Sequence, residues 1–109
     1  MGKYVIAYDV GTTGLKTCLF EIDKTIVLKD AASHGYGLYM VENGGVEQDF
    51  NEWWEAMVHT TKEIMERNPD VKTEGISFCS QMQGLVALDR DGNVIRRPMS
   101  YMDQRAKEE

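Results

Sequence analysis

A short stretch near the start of the chain carries residue types that can hold phosphate. Residues 9–16 are Asp-Val-Gly-Thr-Thr-Gly-Leu-Lys. An aspartate can hold a hydrated metal ion, glycines let backbone amides approach an anion, and two hydroxyls and a lysine add donors and positive charge. These groups could bind a magnesium nucleotide, although the same residues also fit a plain β-turn. The spacing is neither that of a Walker A loop nor that of a Gly-x-Gly-x-x-Gly dinucleotide loop.

Apolar runs around this stretch predict the strands that position it. The runs are residues 4–8, residues 15–22 and residues 26–28, the last of which residues 31–40 could extend. The first run stops at Asp9, and Asp23-Lys24 supplies a polar break after the second. Glu42-Asn43-Gly44-Gly45 is typical of a loop. The short turns predict a three-stranded antiparallel meander whose first turn is the Gly-Thr-Thr-Gly segment.

A long amphipathic helix is predicted after the loop. Asp49 followed by Glu52 has the spacing of a capping box, and Asn68-Pro69 supplies the end. Apolar side chains recur between them at three- and four-residue spacing: Phe50, Trp53, Trp54, Met57, Val58, Ile64 and Met65. We interpret both tryptophans as core anchors against the sheet, and His59 as a solvated residue rather than a metal ligand.

The region after the helix predicts one more strand and a hairpin. Residues 71–79 are predicted to form a strand parallel to the first, because a strand-helix-strand crossover normally returns in that direction. Residues 85–88 and 94–95, joined by the turn at 89–93, predict a β-hairpin. The Asp-x-Asp-Gly pattern of that turn also occurs in calcium loops, but Ser100 stands where such a loop needs its bidentate glutamate.

Composition narrows the class of protein. The 109 residues can form one modest core, and the net charge of -6 without a basic cluster argues against nucleic-acid binding. We interpret Arg96-Arg97 as a solvated pair beside a turn, and Cys18 and Cys79 as reduced core thiols. No apolar run reaches membrane-spanning length, so we expect a cytoplasmic protein without a membrane anchor. Residues 104–109 have good helix formers and no stop signal, which suggests that the chain continues.

Four motifs in order resemble one family. Asp9-x-Gly-Thr-Thr-x-x-Lys16 between two antiparallel strands resembles the first phosphate loop of the actin, hexokinase and heat-shock ATPase superfamily. Three further segments resemble motifs of the FGGY carbohydrate kinases, and of xylulokinases in particular: Glu47-Gln48-Asp49 with Trp53-Trp54, Ile76 to Gly84 with its Gln81-Met82-Gln83-Gly84, and Tyr101-Met102-Asp103-Gln104-Arg105. The resemblance implies that residues 1–109 are the incomplete N-terminal part of kinase domain I. It also implies an α/β fold of ribonuclease H-like, actin-like type, with a mixed sheet of the meander plus one parallel strand.

The resemblance also implies roles for individual residues. ATP phosphates would contact Gly11, Thr12 and Thr13, with Lys16 adding positive potential, and Asp9 would organise Mg²⁺ through water. The sugar would contact segments 81–84 and 101–105 through Met82, Gln83, Tyr101 and Asp103. Met82 could instead be a core residue, and Tyr101 a strand aromatic. The catalytic base and the adenosine pocket belong to later parts of such kinases, so this chain alone is expected to be inactive.

The substrate and the rival functions remain open at this stage. Glycerol kinases carry Arg-Glu where this chain has Met82-Gln83, which disfavours glycerol and leaves a pentulose such as xylulose as the expected substrate. Xylulokinases have His at the position of Gln83 and Trp at that of Tyr101, so another sugar, a polyol or a sugar acid stays possible. One rival is a non-enzymatic actin-like nucleotide-binding module. Another rival is an oligomer that binds no ligand, since open sheet edges favour self-association. A homodimer is compatible with the kinase function and with either rival.

Overall fold

The computed structural model describes residues 2–106, which form a four-stranded sheet, a small two-stranded sheet and one long helix. The strands are β1 (Lys3–Val10), β2 (Gly14–Ile22), β3 (Ile26–Gly35), β4 (Tyr39–Val41), β5 (Gly45–Glu47) and β6 (Thr73–Ser80), and the helix is α1 (Phe50–Arg67). The main sheet has the order β3-β2-β1-β6. The first three strands are antiparallel, and β6 is parallel to β1. The predicted meander and the predicted parallel strand are confirmed.

The core lies between one face of this sheet and α1. Because side chains alternate along a strand, every second residue of β1 and β2 faces the helix. The buried apolar residues are Ile6, Tyr8, Leu15, Leu19, Ala32, Ala56 and Ile64. Burying a leucine such as Leu19 completely contributes about 1.5–3 kcal/mol relative to exposure. The register that buries these residues directs Asp9 and Lys16 to the opposite face, where they pair across β1 and β2.

The helix begins and ends where the sequence predicts, but the predicted capping box forms only in half. Asp49 is the N-cap, and its side chain accepts from the Asn51 amide at 2.9 Å. Glu52 does not reach back to Asp49. Its carboxylate accepts instead from the Gly37 amide at 3.0 Å and from the Tyr39 hydroxyl at 2.5 Å. These donors lower the pKa of Glu52, with the Tyr39 hydroxyl as the main cause. Glu52 therefore fastens the start of α1 to the segment before β4.

The two tryptophans are not the core anchors that the periodicity predicts. Trp54 is 64% exposed, and Trp53 is only partly buried. The fully buried line of the helix is Ala56, Thr60 and Ile64, which lie four residues apart. Small side chains at this line let the helix axis approach the sheet closely. The apolar face of α1 predicted from the sequence therefore lies to one side of the face that contacts the sheet.

The predicted extension of the third strand is confirmed as far as Gly35 but is wrong for residues 36–40. β3 ends at Gly35, and β4 pairs with β5 in a separate sheet. The last bond toward β2 runs from the Tyr36 amide to the Thr13 carbonyl at 3.2 Å, and the next amide, that of Gly37, donates to Glu52 of α1 instead. The predicted loop at 42–45 is a short 3₁₀ turn followed by the first residue of β5, with Asn43 and Gly44 at positive φ.

The hairpin expected near residue 90 is present as a short excursion. Leu88 and Val94 form a single antiparallel bridge, and the Ile95 amide donates to the Ala87 carbonyl at 2.9 Å. The Asp89 carboxylate accepts from the amides of its own turn, Asp91 and Asn93. These bonds lower the pKa of Asp89.

The domain surface is unusually open for a chain of this length. The radius of gyration is 16.8 Å, whereas a compact domain of 109 residues has about 13 Å. Ile76 and Phe78 on β6 are 61% and 55% exposed, because α1 packs over β2 and β3. Cys79 is exposed and Cys18 only partly buried, so the prediction of two core thiols is wrong for Cys79. None of the helices among residues 2–106 is long and apolar enough to cross a membrane.

Candidate functional site

The turn between β1 and β2 is a tight loop with its carbonyl groups turned toward the protein. The Gly11 amide donates to the Gly14 carbonyl at 3.0 Å and closes the turn. A Cβ atom on Gly11 would lie 2.9 Å from the same oxygen, so only glycine fits this position without a shift. The amides of Thr12 and Thr13 and both threonine hydroxyls have no acceptor among residues 2–106. Donors are therefore available on the outside of the turn.

Three side chains hold the carbonyls of this turn. The Tyr36 hydroxyl donates to the Gly11 carbonyl at 2.5 Å, and Gln81 Nε2 lies 3.4 Å from the same oxygen. Gln48 Nε2 donates to the Thr12 carbonyl at 2.5 Å. Each carbonyl shares a planar peptide unit with the next amide, so these bonds fix the direction of the outward N–H groups. A hydrogen bond to the carbonyl also polarises the unit and strengthens its N–H as a donor.

Asp9 and Lys16 supply the charges beside the turn. They are register partners at the adjoining ends of β1 and β2, and both are exposed. A cavity of about 310 Å³ lies beside them and is also lined by Thr13, Ser33 and His34. This arrangement combines a carboxylate, an ammonium group and outward amides at one edge of the sheet, as the sequence predicts.

Asp9 fits a magnesium ion that keeps most of its water. Within residues 2–106, no group of three or more His, Cys, Asp or Glu side chains comes together as a metal cage. Mg²⁺ is commonly held by one or two carboxylates together with water and substrate phosphates. The neighbouring Cys79 does not compete as a thiolate, because the Asp9 carboxylate raises the pKa of its thiol. The donor set is therefore suited to a nucleotide-bound ion.

Two glutamine side chains join the turn to the segment at residues 81–84. Gln48 is 1% exposed, and its Oε1 accepts from Gln81 Nε2 at 2.8 Å. The Gln81 amide also donates to the Val10 carbonyl at 2.8 Å and extends the parallel pairing of β6 with β1. The chain of amides therefore runs from the Thr12 carbonyl through Gln48 to Gln81.

A second cavity, of about 230 Å³, lies at the far end of this chain. Its lining residues are Val10, Gln48, Trp53, Ser80, Gln81, Gln83, Gly84, Leu85, Val86 and Met99. Gln81 Oε1 and Trp53 Nε1 are buried and have no partner among residues 2–106. Leaving such a group unpaired costs about 1–3 kcal/mol. Both side chains line the cavity, and each has one buried polar atom that is unpaired within the described residues.

Only one of the four residues predicted to meet a sugar lines this cavity. Gln83 does so, with a positive φ of 60°. Met82 is 81% exposed and Tyr101 52% exposed, so Met82 is not a core residue, and Tyr101 lies in a turn rather than in a strand. Asp103 is buried by its partners, accepting from the Val46 amide at 2.8 Å and from Arg105 Nη2 at 2.6 Å.

The Asp103 region forms an ion-pair cluster that sequence analysis did not find. Arg105 donates to both Asp103 and Glu47, and Arg96 also reaches Glu47 at 3.0 Å. The pKa values of Asp103 and Glu47 are lowered, mainly by their hydrogen bonds to Arg105. Arg97 lies 4.3 Å from the centre of the Tyr39 ring. Arg96 and Arg97 are exposed, as predicted, but each also contacts the protein, Arg96 at Glu47 and Arg97 at the Tyr39 ring.

The architecture defines the class of protein. A three-stranded antiparallel meander extended by a parallel strand, with one helix across it and a donor-rich turn between the first two strands, is the start of an actin-like, ribonuclease H-like ATPase domain. The model of the N-terminal domain of the FGGY family of carbohydrate kinases matches residues 4–109. The chain belongs to this family.

Individual relatives agree with this assignment. The chain is 32% identical over 107 residues to a gluconokinase of Bacillus subtilis, covering 98% of this chain and 20% of that protein. It is 35% identical over 106 residues to a xylulose kinase of Staphylococcus xylosus, covering 97% and 22%. The crystal structure of a gluconate kinase from Lactobacillus acidophilus superposes with a TM-score of 0.86 at 30% identity, covering 99% of this chain and 21% of that one. The chain thus spans about a fifth of the length of these relatives.

Proposed function

We propose that this chain forms the phosphate-binding side of the cleft of an ATP-dependent carbohydrate kinase. The carrying observation is the turn at residues 11–14, whose carbonyls are held inward while two amides and two hydroxyls remain available. Outward peptide N–H groups form a concave anion site, and phosphoryl transfer depends mainly on positioning and charge stabilisation. The segment that follows β6 would form the floor of the sugar site.

Each residue of the turn then has a separate task. Thr12 and Thr13 donate amide and hydroxyl hydrogens to the terminal phosphates, and the absence of a Cβ at Gly11 keeps the turn closed. Lys16 adds positive charge where negative charge builds up during transfer. Asp9 orients the water shell of Mg²⁺, which, when bound, neutralises phosphate charge. The base that deprotonates the sugar hydroxyl and the adenosine pocket would come from the remainder of the polypeptide.

The proposed substrate is a neutral sugar, with a pentulose such as xylulose first. The cavity lined by Gln83, Gln81 and Trp53 carries amide and indole groups and no charged side chain. Such groups suit hydroxyls, which both donate and accept. Segment 101–105 would act on this cavity mainly from outside, with Asp103 and Arg105 fixing the strand β5 that carries Glu47. Sugar acids and polyols are the alternatives to be included, since gluconokinases and glycerol kinases are also similar to this chain.

The test is a substrate panel on the complete polypeptide. We expect ATP- and Mg²⁺-dependent phosphorylation of xylulose in preference to gluconate and glycerol, in a protein that uses the cytoplasmic ATP pool. The Thr12→Val/Thr13→Val double variant should raise the KM for ATP at least tenfold and leave the KM for sugar within about twofold, because only phosphate donors are removed. The isolated 109-residue chain should show no turnover. A complete polypeptide that binds ATP but no sugar would favour the non-enzymatic module.

A further inference from the structure

The amide chain through Gln48 has a fixed direction. Gln48 Nε2 donates to the carbonyls of Thr12 and Gly37, so Gln48 Oε1 is the atom that accepts from Gln81. Gln81 in turn directs its Nε2 toward Gln48 and Gly11, which leaves only its Oε1 without a partner. Exchanging the oxygen and nitrogen of either amide would set donor against donor or acceptor against acceptor. The network therefore has a single consistent orientation.

The two ends of this chain lie in different sites. At one end, Gln48 holds the peptide unit whose N–H belongs to Thr13, a proposed phosphate donor. At the other end, Gln81 lines the cavity beside residues 83–86, and its buried Oε1 has no partner among residues 2–106. A hydroxyl that donates to Gln81 Oε1 strengthens the bond from Gln81 to Gln48, and Gln48 then holds the Thr12 carbonyl more firmly, because linked hydrogen bonds polarise one another. Pairing the buried Gln81 acceptor lowers the free energy of the sugar-bound protein but not that of the protein with an empty cavity. Coupling requires a difference of this kind between the two states.

We propose that Gln48 is a positioning residue that couples sugar binding to the phosphate grip of the β1–β2 turn through Gln81. This inference rests on the proposed kinase function and adds to it a named path between the two substrates. Coupling between sites is reciprocal, so the sugar tightens the binding of nucleotide and the nucleotide tightens the binding of sugar by the same factor. Gln48 also lines the cavity, but in this scheme it acts through the orientation of the Thr12–Thr13 peptide and not through a bond to either substrate.

The experiment measures that factor in the complete polypeptide. The dissociation constant of a non-hydrolysable ATP analogue with Mg²⁺ is measured by calorimetry, with and without saturating xylulose, and again with gluconate. In the unmodified protein we expect at least one of the two sugars to tighten the analogue about fivefold or more. In Gln48→Met the factor should fall below about two. Gln81→Met should lower it equally, and the double variant should lower it no further, because both changes cut the same path.

Thr60→Val is the control for a merely structural role. It removes a buried hydroxyl of α1 that bonds to Thr17 and to the Ala56 carbonyl, away from the glutamines. It should reduce stability while leaving the coupling factor unchanged. If Gln48→Met fails to fold, Gln81→Met decides the matter, because Gln81 is only partly buried, follows the last residue of β6 and has fewer side-chain partners.

The outcomes separate this inference from the proposed function. A polypeptide that phosphorylates no sugar would overturn the kinase proposal and the coupling with it. An active kinase with no mutual tightening of sugar and nucleotide would overturn the coupling alone. So would an unchanged factor in both glutamine variants, or a double variant whose effect is the product of the two single effects.

Discussion

The Tyr36 hydroxyl is the strongest single support of the phosphate turn, and its removal gives the sharpest test of how that turn is held. Tyr36→Phe keeps the ring and deletes the donor that lies 2.5 Å from the Gly11 carbonyl. The carbonyl then keeps only Gln81 Nε2 at 3.4 Å, close to the limit for a hydrogen bond. Leaving a buried acceptor unpaired costs about 1–3 kcal/mol, and the weak remaining partner places the expected loss at about 1–2 kcal/mol.

Chemical denaturation measures this loss. We expect the urea midpoint of Tyr36→Phe to fall with an unchanged slope, together with a drop in melting temperature of about 5–10 °C. Tyr4→Phe is the matched control, because the Tyr4 hydroxyl makes only a 3.3 Å contact with Glu21, far from the turn. Its loss should stay below about 0.5 kcal/mol. Equal midpoints for the two variants would show that the Tyr36 bond does not support the turn.

The same bond has a signature at high pH. Burial, with a smaller contribution from the Asp9 charge, raises the pKa of Tyr36 to about 12. A folded-state pKa above the unfolded value of about 10 means that the stabilisation is complete below pH 10 and is lost as the pH rises from 10 toward 12. Tyr36→Phe should remove this part of the pH dependence. Tyrosinate absorbance in which every tyrosine titrates near pH 10 would contradict the buried hydroxyl.

Three further changes have distinct expected results. Gly11→Ala should destabilise the chain by about 1–3 kcal/mol and weaken nucleotide binding, because its Cβ would lie 2.9 Å from the Gly14 carbonyl oxygen. Gly75→Ala is the control and should do neither, because a Cβ there has nothing within 4 Å. Equal melting temperatures for the two variants would count against the tight turn. Thr60→Val should lower the free energy of unfolding, measured in urea, by about 1–3 kcal/mol, because it leaves the buried Thr17 hydroxyl without a partner. Thr17→Val should lower it less, because Thr60 still donates to the Ala56 carbonyl. The reverse order would refute the assignment of Thr17 as the donor to Thr60. The pKa of Asp103 is lowered, so the stability that its carboxylate contributes is complete above about pH 4 and is lost as the pH falls further. Asp103→Asn should therefore reduce the fall in unfolding free energy at acid pH. An unchanged fall would show that the contact with Arg105 does not stabilise the fold.

Local sequence patterns were sufficient to predict the helix and the strands of the main sheet, but they failed to predict contacts between residues that are distant in sequence. The Gly-Thr-Thr-Gly turn and the helix start at Asp49 follow from turn chemistry and capping, which act over short stretches, and the parallel return of β6 follows from the general crossover rule. The displaced apolar stripe of α1 shows one limit. Periodicity defines a broad face, but only the shape of the sheet decides that Ala56, rather than Trp54, packs at its centre.

The candidate site shows a second limit. Gln48 belongs to the Glu47-Gln48-Asp49 motif, yet nothing in its local pattern indicates that it bonds to a carbonyl 36 positions earlier and to a side chain 33 positions later. The available signals were its place in that motif and its position next to a helix cap, where no capping rule uses it. Glu52 illustrates the same point, since its spacing fits a capping box, but stronger donors on Gly37 and Tyr39 compete for its carboxylate.

The two halves of the proposed cleft depend on sequence in different ways, and this explains why relatives of similar identity carry different substrate names. The phosphate turn works through backbone amides, which any residue supplies once the carbonyls are held and Gly11 keeps the turn closed. The cavity works through side chains such as Gln83 and Trp53, where one substitution changes which hydroxyls can pair. Selection for a new sugar can therefore alter the cavity while the turn stays intact, provided that Gln48 and Gln81 keep the two connected. Under this proposal, similar overall identities to a gluconokinase and to a xylulose kinase, 32% and 35%, are expected, because the few side chains that line the cavity contribute little to them.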